Sequence, residues 1–272
     1  MKTLRFLAVT VATILLMTAC KKDEPDNNSE EKQAFLPRTI TISGAVLPGL
    51  NGTIHFEYNN SRQISSIKRV SKSGNEELNW IYTYDNQKRP TNIKYSIENA
   101  LSSPSRWQTD YTYEYAGNTP VKVSATSTSN LGDTDAFVEN ITNPQSNRFF
   151  LWATNYIYNQ AGDLENVGGS LLGGYGLSAT YSDKKGVFSD VQMQAVHYFF
   201  LNGTLIPDML FLAQKELKTI NVGGHPATIS AGEYNSISAE RNAQNCITRY
   251  IIKNDTKTYA QFDIEYITVQ LN

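Results

Sequence analysis

The stretch WIYTYDNQKRPTNI, residues 80–93, sets the architecture of this chain. Its first five residues alternate in character, so Trp80, Tyr82 and Tyr84 share one face of a predicted strand. Five polar residues follow as a turn, and a second segment begins at Pro90. Apolar alternation on both sides of a polar centre is typical of a β-hairpin.

The same pattern recurs through the body of the chain. In each copy a tyrosine ends the alternating segment, a polar turn follows, and an apolar residue or proline stands six positions after the tyrosine. Asn, Asp and Gly in these turns tolerate left-handed dihedral angles and bond their own backbone. Turns of five residues favour a bulge or a longer loop over a tight two-residue turn. The aligned tyrosines are Tyr58, Tyr84, Tyr115, Tyr158 and Tyr181.

The uneven spacing of these tyrosines excludes a solenoid or propeller with a strict period. We therefore expect an all-β fold, a meandering antiparallel sheet of successive hairpins. Residues 207–218 break the pattern, because Pro207 suits the first turn of a helix and Leu210, Phe211 and Leu217 form a partial helical face. The sequence predicts one short helix there, either as a core plug or as a lid over a cleft.

The N-terminus resembles a bacterial lipoprotein signal. Lys2 and Arg5 precede an apolar run that is too short to span a bilayer, and residues 16–20, LMTAC, resemble a lipobox. The resemblance implies removal of residues 1–19 and acylation of Cys20. Residues 20–37 are largely polar, which predicts a flexible tether, and residues 38–272 then form a single β domain.

The residues after Cys20 bear on location. Lys21, Lys22, Asp23 and Glu24 resemble the surface-export signal of Bacteroidetes lipoproteins, and the alternative is a solvated charge run. The resemblance implies an outer-membrane protein, lipid-anchored and facing the cell exterior. Its membrane partner is then reached through the N-terminal lipid.

The hairpins themselves resemble two known groups. Residues 84–93 are similar to the tyrosine-aspartate repeats of bacterial Rhs-type surface proteins. Over residues 38–272 the chain resembles a family of Bacteroidetes outer-membrane lipoproteins of unknown function, although Gly186 and Val187 stand where that family's turn has Asn-Pro. The resemblance implies a shared scaffold and transfers no catalytic residue.

Composition excludes some classes of function. Without residues 1–19 the chain has 22 basic and 26 acidic residues, a net charge of about −4, which argues against a nucleic-acid partner. Cys246 is left unpaired once Cys20 carries lipid, and we expect it to be a small buried residue. His55, His197 and His225 lack metal-ligand spacing, and the glycine-rich loop 168–176 lacks a phosphate-loop lysine, so neither a metal nor a cofactor is expected.

Three tryptophans are the candidate ligand contacts. Exposed aromatic rings stack on sugars, so Trp80, Trp107 and Trp152 are candidates for glycan binding, and core packing is the alternative for each. No catalytic signature is present, so we expect a binding or structural module that contacts a glycan or a protein. The alternatives are a hydrolase with an unrecognised active site, which requires a cleft with paired acids, and an accessory subunit of an outer-membrane complex, which requires an apolar patch or an open sheet edge.

Overall fold

The computed structural model describes residues 32–44, 51–145, 148–151, 154–169, 176–192, 213–223, 232–234, 236–253 and 258–271. These residues form strands and turns, and no helix occurs among them. The expected all-β meander of successive hairpins is confirmed.

Eighteen strands occur in the described residues. They are β1 (Gln33–Ser43), β2 (Gly52–Tyr58), β3 (Ile64–Ser71), β4 (Glu76–Tyr84), β5 (Pro90–Asn99), β6 (Arg106–Ala116), β7 (Thr119–Ser129), β8 (Thr134–Asn140), β9 (Thr142–Gln145), β10 (Arg148–Leu151), β11 (Thr154–Tyr158), β12 (Leu164–Gly169), β13 (Gly176–Lys185), β14 (Lys215–Gly223), β15 (Gly232–Tyr234), β16 (Ser236–Arg241), β17 (Ile247–Lys253) and β18 (Thr258–Gln270).

The strands form two sheets that follow chain order almost throughout. The large sheet has eleven strands in the order β16-β17-β18-β1-β2-β3-β4-β5-β6-β7-β8, so the last strand of the chain lies beside the first. The small sheet has seven strands, from β15 through β14, β13, β12, β11 and β10 to β9. Neighbouring strands within each hairpin are antiparallel, as the sequence pattern predicts.

Several hairpins share one turn geometry. In the β4–β5 turn, the N–H of Asp85 donates to the carbonyl of Arg89, and the Asp85 carboxylate accepts the N–H groups of Gln87 and Arg89. Lys88, the fourth residue of the turn, adopts a left-handed φ of 64°. The same backbone and side-chain bonds occur in the turns that begin at Asn59, Ser129, Asn159 and Asn242. The turn chemistry read from the sequence is therefore present, as a bulged turn.

A tyrosine hydroxyl joins several of these hairpins to a neighbouring strand. The Tyr84 hydroxyl donates to the Ile64 carbonyl at 2.6 Å, and the Tyr115 hydroxyl donates to the Pro90 carbonyl at 2.6 Å. We call this contact a tyrosine hook. Equivalent hooks run from Tyr58 to Pro37, from Tyr181 to Leu164 and from Tyr266 to Ile247.

Each hook lies just beyond the last backbone pair of two adjacent strands. Between β3 and β4 the last pair toward the turns is Ser66 with Ile81, and the Ile64 carbonyl lies two residues beyond it. Tyr84 lies three residues beyond Ile81, so its long side chain reaches the carbonyl where the strands have separated. The other four hooks keep the same offsets from the last paired residues. A carbonyl that would otherwise lack a partner is satisfied this way.

Burial keeps the hook hydroxyls protonated. It raises the pKa of Tyr84, of Tyr115 and of Tyr58. Each hydroxyl is therefore a donor at any pH near neutrality.

The fifth turn residue adds a second link between hairpins. The Gln63 side chain donates to the carbonyl of Lys88 in the next turn at 2.7 Å, and Arg89 donates to the Gly117 carbonyl. Asp163, which is fully buried, instead accepts the N–H groups of Gln214 and Lys215. At the turn ends of both sheets, neighbouring segments are therefore linked by hydrogen bonds between side chains and backbone groups.

A short segment after β13 joins the two sheets. Phe188 is fully buried and meets Phe56 of β2 edge to face, with ring centroids 5.2 Å apart. The Asp190 carboxylate accepts the N–H of Phe35 in β1 at 2.9 Å. This segment therefore packs on β1 and β2.

The first strand begins before the boundary expected at residue 37. β1 begins at Gln33, and Ala34 and Leu36 are buried. The compact unit that holds the sheets starts at Ala34. The apolar run 34–37 pairs with the sheet, because burial of these side chains outweighs the ordering of a few residues.

The helix expected over 207–218 is wrong where it is described. Lys215–Gly223 form β14, which pairs with β13, and Leu217 lies opposite Tyr181. Residues 207–212 lie outside the described residues. Strand pairing and the β-branched residues Thr219 and Ile220 override the partial helical pattern.

We expect Tyr84→Phe to lower the free energy of unfolding by about 1–2 kcal/mol, because the buried Ile64 carbonyl loses its donor. Tyr95→Phe is the matched control, since the Tyr95 hydroxyl makes no hydrogen bond to the described residues. Urea unfolding followed by tryptophan fluorescence measures both. Equal stability of the two variants would contradict the hook.

Lys88→Gly should raise the free energy of unfolding by about 0.5–1 kcal/mol, because glycine adopts a left-handed φ without steric cost. Gln87→Gly, one residue earlier in the same turn, has no such strain to relieve and should not stabilise the protein. Thermal unfolding of the two variants beside the parent protein tests this. A stabilised Gln87→Gly variant would show that the turn geometry is different.

Candidate binding site

The structure separates the tryptophans that the sequence grouped together. Trp80 is only 7% exposed and packs against Tyr95, with ring centroids 5.3 Å apart. Trp80 therefore packs in the core, and we no longer treat it as a candidate glycan contact. Trp107 in β6 is partly exposed, and Trp152 lies outside the described residues.

Trp107 belongs to a row of partly exposed aromatic side chains. Tyr95 of β5 is paired with Thr109, which places Tyr95 diagonally from both Trp107 and Tyr111 on the core face of the sheet. Diagonal neighbours on a sheet are about 7–8 Å apart. We call Tyr95, Trp107 and Tyr111 the aromatic strip.

Neutral hydroxyl groups accompany the strip. Thr109, between Trp107 and Tyr111 on β6, shares a hydrogen bond of 2.8 Å with Ser127 of β7. Burial raises the pKa of Tyr95 to about 12 and also raises the pKa of Tyr111. The strip therefore offers ring faces and uncharged hydroxyls, a combination that suits a sugar ring.

The opposite face of the large sheet is polar and broadly solvated. A shallow depression of about 680 Å³ there is lined by His55, Lys68, Asn79 and Ser96, with Ile81 54% exposed. Lys68 is paired with Glu77 at 2.7 Å. A single exposed isoleucine among paired charges is ordinary for a protein surface.

The other candidate residues hold no chemical constellation. His55 is exposed, and its Nδ1 lies 3.4 Å from the hydroxyl of Thr39, whereas His197 and His225 lie outside the described residues. Cys246 is partly buried, and burial raises the pKa of its thiol. No group of three His, Cys, Asp or Glu side chains suited to a metal forms among the described residues.

Cys20 lies outside the described residues, and so do residues 170–175 of the glycine-rich loop. At the ends of that loop, Gly168 of β12 pairs with Gly176 of β13. In the described part of the chain, no helix has the length and apolarity needed to cross a membrane.

Comparisons with known proteins leave the family open. No family model matches the chain, and no curated protein matches it. A porin-like protein from Bacteroides vulgatus has a TM-score of 0.41 and 10% identity, covering 86% of this chain and 99% of its own. A porin-like protein from Bacteroides uniformis has a TM-score of 0.31 and 13% identity, covering 78% and 100%. Likenesses this weak carry no argument about function.

Sequence reasoning missed Tyr95 as a partner of Trp107. Tyr111 was recognisable from its alternation, but the position of Tyr95 depends on the register between β5 and β6. The turn end of each hairpin can be read from the sequence, whereas the loop between Asn99 and Arg106 carries no register signal of that kind.

Proposed function

We propose that this chain is a lipid-anchored outer-membrane module, facing the cell exterior, that binds a glycan through the aromatic strip. The observation that carries the proposal is the partial exposure of Tyr95, Trp107 and Tyr111 on one face of a sheet whose hairpins are linked by hydrogen bonds. A rigid sheet holds the rings in place, so little ordering opposes binding.

The proposed anchor rests on the sequence and fits the start of the sheet. The lipobox-like residues end at Cys20, and the lysine-acid run 21–24 follows. The chain enters β1 at Gln33, and the Tyr58 hook holds the Pro37 carbonyl four residues later. A tether from Cys20 would therefore end in a strand that is fixed within the sheet.

The hydrolase alternative finds little support in the described carboxylates. Burial raises the pKa of Asp163, as in many catalytic acids. However, Asp163 is fully buried and bonds the backbone N–H groups of Gln214 and Lys215, so its environment is explained by packing.

An accessory role in an outer-membrane complex is favoured by one specific observation. Among the described residues β8 is the last strand of the large sheet, and each of its side chains is at least partly exposed, with Val138 64% exposed. An open sheet edge of this kind suits pairing with another protein.

Trp107→Ala should weaken binding to any glycan that the protein selects on a glycan array by about tenfold or more, because the largest ring of the strip is lost. Ile81→Ala, on the opposite face, is the control and should leave affinity unchanged. Calorimetric titration of the selected glycan measures both variants. Unchanged affinity of Trp107→Ala, or no glycan selected by the parent protein, would overturn the glycan proposal.

Cys20→Ser should abolish incorporation of labelled palmitate, because the thiol that accepts the acyl group is removed. Cys246→Ser is the matched control and should keep the label. Protease treatment of intact cells should degrade the parent protein if it faces the exterior. A labelled Cys20→Ser variant would refute the anchor, and full protection from protease would refute the exterior location.

A further inference from the structure

The four strands at the ends of the two sheets differ in how they are protected. β9 contains Pro144 and β15 has three residues, so both edges of the small sheet are short or blocked. β16 is tied to the small sheet by Arg241, which pairs with Glu216 and donates to the Lys185 carbonyl. β8 has seven residues, without proline or lysine, and each of its side chains is at least partly exposed.

The hydrogen-bond register shows which backbone groups of β8 point away from the sheet. The N–H of Ser129 bonds the Asp133 carbonyl, and the N–H of Ile141 bonds the Val121 carbonyl. In this register the backbone groups of Asp135, Phe137 and Glu139 therefore bond β7. The outward donors and acceptors belong to the alternate residues, which are Thr134, Ala136, Val138 and Asn140.

The side chains of β8 give this edge a charge pattern. Asp135 and Glu139 flank Phe137 on the core face of the sheet. The Phe137 ring is positioned by Tyr111, edge to face at 6.5 Å, across the small side chain of Ala125. The edge thus presents an acidic, an aromatic and a second acidic side chain at alternate positions.

We propose that β8 accepts an extended segment of a partner protein that carries a basic, an apolar and a basic residue at alternate positions. The outward backbone groups bond the added strand, while Asp135 and Glu139 attract its basic side chains and Phe137 contacts its apolar one. The site goes beyond glycan binding and does not depend on it.

A second copy of this chain fits the edge poorly. If two β8 strands pair antiparallel about Phe137, each Asp135 faces the partner's Glu139. Like charges directly opposite each other destabilise a strand pair. The acidic residues that oppose self-association are the same ones that select a basic strand.

The backbone part of the proposal is tested with the full-length lipidated protein in detergent and a labelled peptide, Thr-Lys-Thr-Val-Thr-Lys-Thr. Val138→Pro removes one outward N–H without touching the bonds to β7, and it should reduce peptide binding about tenfold or more. Val138→Ala keeps that N–H and should bind within about twofold of the parent protein. Fluorescence anisotropy measures affinity, and the melting temperature confirms folding. Equal binding by the two variants would overturn the proposal.

The charge pattern is tested by Asp135→Lys combined with Glu139→Lys. The parent protein should prefer the lysine peptide about tenfold over the same peptide with glutamate, and the double variant should reverse that preference. An unchanged preference, or a concentration-dependent dimer of the parent protein in sedimentation that Val138→Pro abolishes, would overturn the proposed partner. Glycan affinity of Val138→Pro should stay at the parent value, so the failure of one site is distinguishable from the failure of the other.

Discussion

The hydrogen bond from a tyrosine hydroxyl to the carbonyl of the neighbouring hairpin is the contact on which the architecture depends. Bulged turns interrupt the ladder between hairpins and leave carbonyl groups beyond its last pair. Tyr84 and Tyr115 reach these carbonyls because a phenol side chain spans the distance that the separated backbones leave. Without the hooks, the turn ends of neighbouring hairpins would be joined only by the side chains of the fifth turn residues, such as Gln63 and Arg89.

The hooks also explain why four of the five aligned tyrosines, Tyr58, Tyr84, Tyr115 and Tyr181, tolerate burial. Their rings fill space between hairpins, and each hydroxyl has a hydrogen-bond acceptor that replaces the water it loses on burial. On the core face of β5 and β6, Ile93 and Tyr113 are buried, whereas Tyr95, Trp107 and Tyr111 are only partly covered. The aromatic strip is the part of the core face that remains partly open.

Much of the fold could be predicted from the sequence because its signals are local. Alternation ending at Tyr84 and the Asp85 turn identify a hairpin without any knowledge of its neighbours. The β-strand at Lys215–Gly223 was missed, because its pairing with β13 is not visible within a short window. Trp80 and Trp107 have similar local patterns, and only their positions across the sheet explain why one is buried and the other partly exposed.

The position of donor and acceptor within each hairpin has a consequence for how such sheets change in evolution. Ile64 accepts from Tyr84, while Tyr58 of the same hairpin donates to the strand on its other side. The β2–β3 and β4–β5 hairpins therefore each carry one half of each of two contacts, and duplicating or deleting either of these hairpins leaves no contact incomplete. Sheet width can vary in steps of two strands, and Arg241, which stands where a tyrosine would, marks a place where such growth ends because its bonds go to the other sheet.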